Sequence, residues 1–144
     1  MPIFAAFPLL ALPVLGYNLI ALTLAGGFSA IDADVRLGEG LFTIRMASNV
    51  DWPVSLGDLL LAAALVVLFI ELLKSTTSRR IAIINHALSM LLFIVCLVQF
   101  LLAPAFATST FFLITVMVLL DVLAGFIVTI VAARRDIDFS GVDG

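Results

Sequence analysis

From Ile81 to Ala133 the chain carries one formal charge, the carboxylate of Asp121, set in the run TFFLITVMVLLDVLAGFIVTIVAA. A stretch this long and this apolar has few stable solutions. Its backbone must satisfy its own hydrogen bonds, so it folds as helix, and its side chains need an apolar surround. The same character extends over the rest of the chain. Of 144 residues, 64% are hydrophobic and 12% charged, and the mean hydropathy is +1.31. A soluble domain of this length needs far more polar surface to cover itself. The chain therefore reads as an all-α membrane protein, a single domain over residues 1–144.

Hydropathy divides the sequence into four spans, at about residues 3–25, 56–73, 81–102 and 109–133, each near the ~20 residues that cross a hydrocarbon core. Ser55-Leu56-Gly57-Asp58 has the form of a helix N-cap with an acid in the first turn. Thr108, Ser109 and Thr110 follow Pro104 and offer caps for the last span. Met1 to Ile31 holds no charged side chain, so a basic signal-peptide n-region is missing, and the first apolar stretch reads as a retained span. Pro8, Pro13 and Gly16 punctuate it, as is ordinary in transmembrane helices.

Charge sets the expected orientation. Lys74, Arg79, Arg80, Arg134 and Arg135 fall at one end of the spans; Arg36 and Arg45 fall at the other, diluted by Asp32, Asp34, Glu39, Asp51 and Asp58. The positive-inside rule then places both termini in the cytoplasm of a cell (inner) membrane. Short connections make the second, third and fourth spans antiparallel neighbours. The expected fold is a four-helix transmembrane up-down bundle with a short β-hairpin-like outer loop at about residues 26–55.

Within that loop Val35 and Leu37 alternate with Asp34 and Arg36, and Phe42, Ile44 and Met46 with Thr43 and Arg45. Gly38-Glu39-Gly40 between the runs predicts the turn of a hairpin. The alternative is an interfacial amphipathic helix from Leu41 to Val50, which the glycines and the alternation disfavour. Trp52, before Pro53, stands where an interfacial aromatic anchor is expected.

Depth groups the polar residues inside the membrane. Counted from the cytoplasmic ends, Asn18 lies ~22 Å up the first span and Asp121 ~20 Å up the fourth. Asp121, Asn18 and neighbouring Tyr17 are thus the expected intramembrane polar cluster. Thr115, Val118, Asp121 or Val122, Gly125 and Thr129 form a small, polar stripe suited to helix contact. The cluster serves either as a clasp between helices or subunits, or as a proton or cation site. Nearer the cytoplasm, Glu71 and His86 share a level, and Glu71 can pair with Lys74 three residues on. That group is a cytoplasmic-side polar pair of interfacial side chains, or a proton relay. One His and one Glu fall short of the three or four ligands of a zinc site.

Cys96, the one cysteine, sits in an apolar helix and reads as a small buried hydrophobe. A net charge of −3 with no basic run leaves no nucleic-acid footprint. No catalytic constellation, phosphate loop or haem motif is legible, so no cofactor and no metal are expected.

In architecture the chain resembles the small four-span inner-membrane proteins of bacteria. Arg45-Met46-Ala47-Ser48-Asn49 and Trp52-Pro53, with Glu71 further on, also look like the loop segment and a later acid of the membrane-associated eicosanoid and glutathione metabolism family. That likeness implies a four-span membrane enzyme acting on lipids or lipophilic thiols. The residues themselves point first to a non-enzymatic integral membrane protein, an accessory or assembly subunit or a self-oligomerising scaffold. Its partners would be the lipid bilayer and a homo-oligomer or larger membrane complex. The alternative is a small oligomeric channel or proton-coupled transporter using Asp121.

Overall fold

The computed structural model describes residues 7–74 and 79–140, with side chains described at 7–74 and 83–131. In order, the elements are helix α1 (Ala11–Thr23), short helix α2 (Ala33–Gly38), strands β1 (Gly40–Arg45) and β2 (Asp51–Ser55), and helices α3 (Leu56–Lys74), α4 (Arg79–Leu102) and α5 (Ser109–Ser140). A 3-10 turn at Pro104–Phe106 joins α4 to α5. Three segments, Leu56–Lys74, Ile83–Leu102 and Ser109–Val131, are long and apolar enough to cross a membrane.

Local chemistry sets where these helices begin. At α3 the backbone N–H of Ser55 donates to Asp58 Oδ2 at 2.9 Å, and the N–H of Asp58 donates back to Ser55 Oγ at 3.2 Å. This is a reciprocal capping box, and it fixes the turn from sheet into membrane helix. At α5 the Thr108 hydroxyl accepts the N–H of Phe111 at 3.1 Å. Helix α1 starts later than hydropathy suggests, at Ala11, so Pro13 sits in its first turn. There a missing N–H costs nothing, and the proline introduces no kink. The expected start of the first span, at residues 3–6, lies outside the described residues.

Around the bundle, α3 packs between α1 and α5, and α5 packs along both α3 and α4. Although a short connection joins α3 to α4, their mutual contact is slight. Among the described residues α3 and α4 meet directly through the Glu71–Asn85 bond at the Lys74 end, while α5 packs along both. A short loop constrains the ends of two helices, but the shared stripe of α5 decides which flanks pack. The core is dominated by this helix, with Phe111, Ile114 and Val118 wholly buried beside Ala64 of α3 and Cys96 of α4.

The outer loop does contain a hairpin, but not the expected one. Residues 33–38 are helical, and β1 pairs antiparallel with β2 in the register Phe42↔Val54, Thr43↔Pro53, Ile44↔Trp52 and Arg45↔Asp51. The turn spans Met46 to Val50, with Met46 N–H to Val50 O at 2.9 Å and Asn49 in the left-handed region at φ 62°. The alternation over 34–37 was too short to exclude helix. Ala33 and Leu37, four apart, are the pair that buries, and Val35 points outward. Gly40 serves β1 rather than a turn, facing Pro53 where a Cβ would come within 3.2 Å.

The observed register is open to direct test. The double variant Ile44→Cys/Trp52→Cys should form a disulfide under mild oxidation. Val35→Cys/Thr43→Cys, paired by the three-residue turn, should not; mass spectrometry of the unreduced protein distinguishes them.

Candidate functional site

A carboxylate in the membrane must be satisfied by protein, and Glu71, with no solvent exposure, shows how. Its Oε2 accepts the backbone N–H of Leu9 at 2.6 Å. Its Oε1 accepts from Asn85 Nδ2 at 2.7 Å and lies 3.0 Å from Lys74 Nζ. Lys74 in turn donates to the carbonyl of Phe7 at 2.6 Å. The two residues hold the approach to α1 by both kinds of backbone group. Leu10, the cap residue of α1, makes no side-chain cap bond, so the anion that faces this helix N-terminus comes from α3. A negative charge there also complements the helix dipole.

One level deeper, Asp121 Oδ2 accepts the hydroxyl of Ser89 at 2.6 Å, joining α5 to α4. Ser89 is 1% exposed and Asp121 4%. His86 lies one turn of α4 nearer the Lys74 end. Its Nδ1 packs on Gly125, where a Cβ would come within 2.6 Å. Gly125 is one turn from Asp121, so the absent side chain makes the room that the imidazole occupies. Glu71, Lys74 and His86 are the charged or titratable groups that act on Asp121 through space. The stripe expected on α5 is therefore present from Thr115 to Gly125, all facing inward. Thr129 is exposed, and its hydroxyl bonds the carbonyl of Gly125 at 2.9 Å.

The grouping of Asp121 with Asn18 and Tyr17 is corrected. The amide of Asn18 donates to Val14 O at 2.8 Å and its Oδ1 accepts from Gln99 Nε2 at 2.7 Å, bridging α1 to α4. The Tyr17 hydroxyl donates to Ala105 O at 2.8 Å. Having one proton, it must accept from Thr108 Oγ1 at 2.6 Å. Tyr17 also packs on Phe106 and Phe111, with centroids 5.3 and 4.7 Å away. Both residues thus belong to the hairpin end, away from Lys74. The depth count failed because α1 begins at Ala11. Asn18 is five residues from the last residue of α1, Thr23, whereas Asp121 is twelve from the first of α5, Ser109.

Asp121 instead lies on the same side of the bundle as the second expected group, bonded to Ser89 one turn of α4 beyond His86. Ser89 and Gln99 were missed. Asn85, His86 and Ser89 share one face of α4 at helical spacing, and that pattern was the available signal. Trp52 stands in the hairpin, 47% exposed and opposite Ile44.

Comparison with protein-family models, with curated proteins and with solved structures finds no match to this chain. The site must therefore be read from its own chemistry.

The two levels of the cluster should differ in weight. Glu71→Ala leaves a backbone N–H, an amide and an ammonium without their acceptor, and should cost about 3–5 kcal/mol. Ser89→Ala removes one interhelical bond and should cost about 1 kcal/mol. Thermal unfolding in one detergent measures both; equal losses would contradict the central place given to Glu71.

Proposed function

We propose that the chain is a non-enzymatic, four-span protein of the cell membrane that acts as an accessory or assembly subunit, within a larger membrane complex or an oligomer of its own. Helix α1 is the first span in this reading. Both termini face the cytoplasm, because Lys74, Arg79, Arg80, Arg134 and Arg135 gather at that end.

The observation that carries the proposal is the outer hairpin. Residues paired across an antiparallel sheet share a face. On one face lie Phe42, Ile44 and Trp52, exposed by 50%, 42% and 47%. The opposite face carries Thr43 and Arg45 against Pro53 and Asp51. A two-stranded hairpin is marginal alone, and a contiguous apolar patch on a protein surface marks a site of interaction. Ion pairs from Arg36 to Asp32 at 3.8 Å and to Glu39 at 3.7 Å bracket α2, the element that leads into this sheet. Support also comes from the polar groups of the helices, which are drawn into bonds between α1, α3, α4 and α5.

In native lipid particles, the wild-type chain should therefore run as a species of larger mass than the 15.4 kDa monomer. The triple variant Phe42→Ser/Ile44→Ser/Trp52→Ser should release the monomer while remaining in the membrane. A wild-type protein that is already a lone monomer would rule the reading out.

A further inference from the structure

Two features of the molecule remain outside the assembly role: the aromatic group at Tyr17 and the deep polar cluster around Asp121. The latter carries an inference independent of the hairpin. We propose that Asp121 is a proton-binding site, loaded from the Lys74 end of the bundle with His86 as the relay.

Position comes first. Asp121 lies twelve residues from Ser109 and ten from Val131, the limits of its membrane segment. It is therefore ~15–18 Å from either end of that segment. Its described hydrogen bond comes from a neutral hydroxyl, that of Ser89. The charged or titratable groups facing it from the packed helices are Glu71 and Lys74 on α3 and His86 on α4. Glu71 and Lys74 pair with each other at 3.0 Å. His86 lies against Gly125, one helical turn from Asp121, and is the remaining ionisable side chain on that side.

The second observation concerns acceptors without donors. The Oδ1 of Asn85 and the Nδ1 of His86 are both buried and lack a hydrogen-bond partner. Asn85 is 5% exposed, and donation from its Nδ2 to Glu71 fixes the amide so that Oδ1 turns away from that carboxylate. Buried polar atoms of this kind call for a water molecule or an ion. They sit between the level of Glu71 and that of Asp121, on the face of α4 that also carries Ser89.

The path is one-sided. Beyond Asp121 toward the outer end come Val118, Ile114 and Phe111 of α5 and Cys96 of α4, all with zero exposure. Thr115 in that layer spends its hydroxyl on the carbonyl of Phe111 at 2.9 Å. An apolar layer therefore separates the Asp121 level from the next polar groups, the Asn18–Gln99 and Tyr17–Thr108 pairs at the hairpin end. A proton suits this site better than a metal ion, which needs several converging ligands. Among the described residues no three His, Cys, Asp or Glu side chains are placed to share one.

The transfer is simple in its balance. The imidazole takes a proton on one nitrogen and releases one from the other; it ends neutral as the opposite tautomer, and a ring flip or return of a proton restores it. The carboxylate of Asp121 gains that proton and becomes a carboxyl, which keeps its bond with Ser89.

The test uses the full chain reconstituted in phosphatidylcholine vesicles and read by infrared difference spectroscopy. Acidification should raise the carbonyl band of a protonated carboxyl, and Asp121→Asn should abolish it while Glu71→Gln leaves it. After a pH jump, His86→Gln should keep the band but slow its rise by about a hundredfold. If Asp121→Asn fails to assemble, Ser89→Ala serves instead, since loss of the hydroxyl must move the band's frequency. A band indifferent to pH, one that survives Asp121→Asn, one unmoved by Ser89→Ala, or an unchanged rate in His86→Gln would overturn the proposal.

Discussion

Burying an anion where water cannot reach it forces the protein to supply every donor that water would have offered. Glu71 meets that demand from three directions: a backbone N–H before α1, an amide on α4 and an ammonium on its own helix. The first two donors come from elements that would otherwise be tied to α3 at this end only by apolar contact. In lipid such contact is weakly specific, because a lipid tail packs about as well as a leucine. The carboxylate thus decides which helices meet at this end and in what register. Lys74 adds to this by holding the carbonyl of Phe7, so the chain entering α1 is gripped at a donor and an acceptor together.

The opposite end is built on a different principle. There Tyr17 lies under Phe106 and Phe111, and its hydroxyl joins Ala105 and Thr108. The Thr108 hydroxyl also caps α5 by accepting the N–H of Phe111. One hydroxyl pair therefore fastens α1 to the α4–α5 turn and starts the last helix. Gly57 continues the same close packing, since a Cβ there would meet Thr110 Oγ1 at 2.9 Å and Leu37 O at 3.3 Å. The apolar layer of α5 separates the two ends, and this separation gives the Asp121 cluster its single direction of polar approach.

Much of the fold was legible from residues alone. The Ser55–Asp58 cap, the Thr108 cap and the three long spans lie where the sequence places them, because capping and hydropathy are local properties. The hairpin was legible only as a tendency. Four alternating residues at 34–37 fit strand and helix alike, and burial of Ala33 and Leu37 chose helix. The pairing of intramembrane polar groups was less legible still. Levels estimated by counting from span ends shift by a full turn or more when a helix begins late, as α1 does.

The sequence by itself determined that this chain needs an apolar surround, where its long helices begin, and that Asp121 and Glu71 must find partners among its own polar groups. Composition and local hydrogen bonding suffice for that. Only the tertiary structure decided the partners: Ser89 for Asp121, Asn85 and the Leu9 amide for Glu71, Gln99 for Asn18. Those choices depend on helix order and rotation, which are properties of the packed set and not of any one segment.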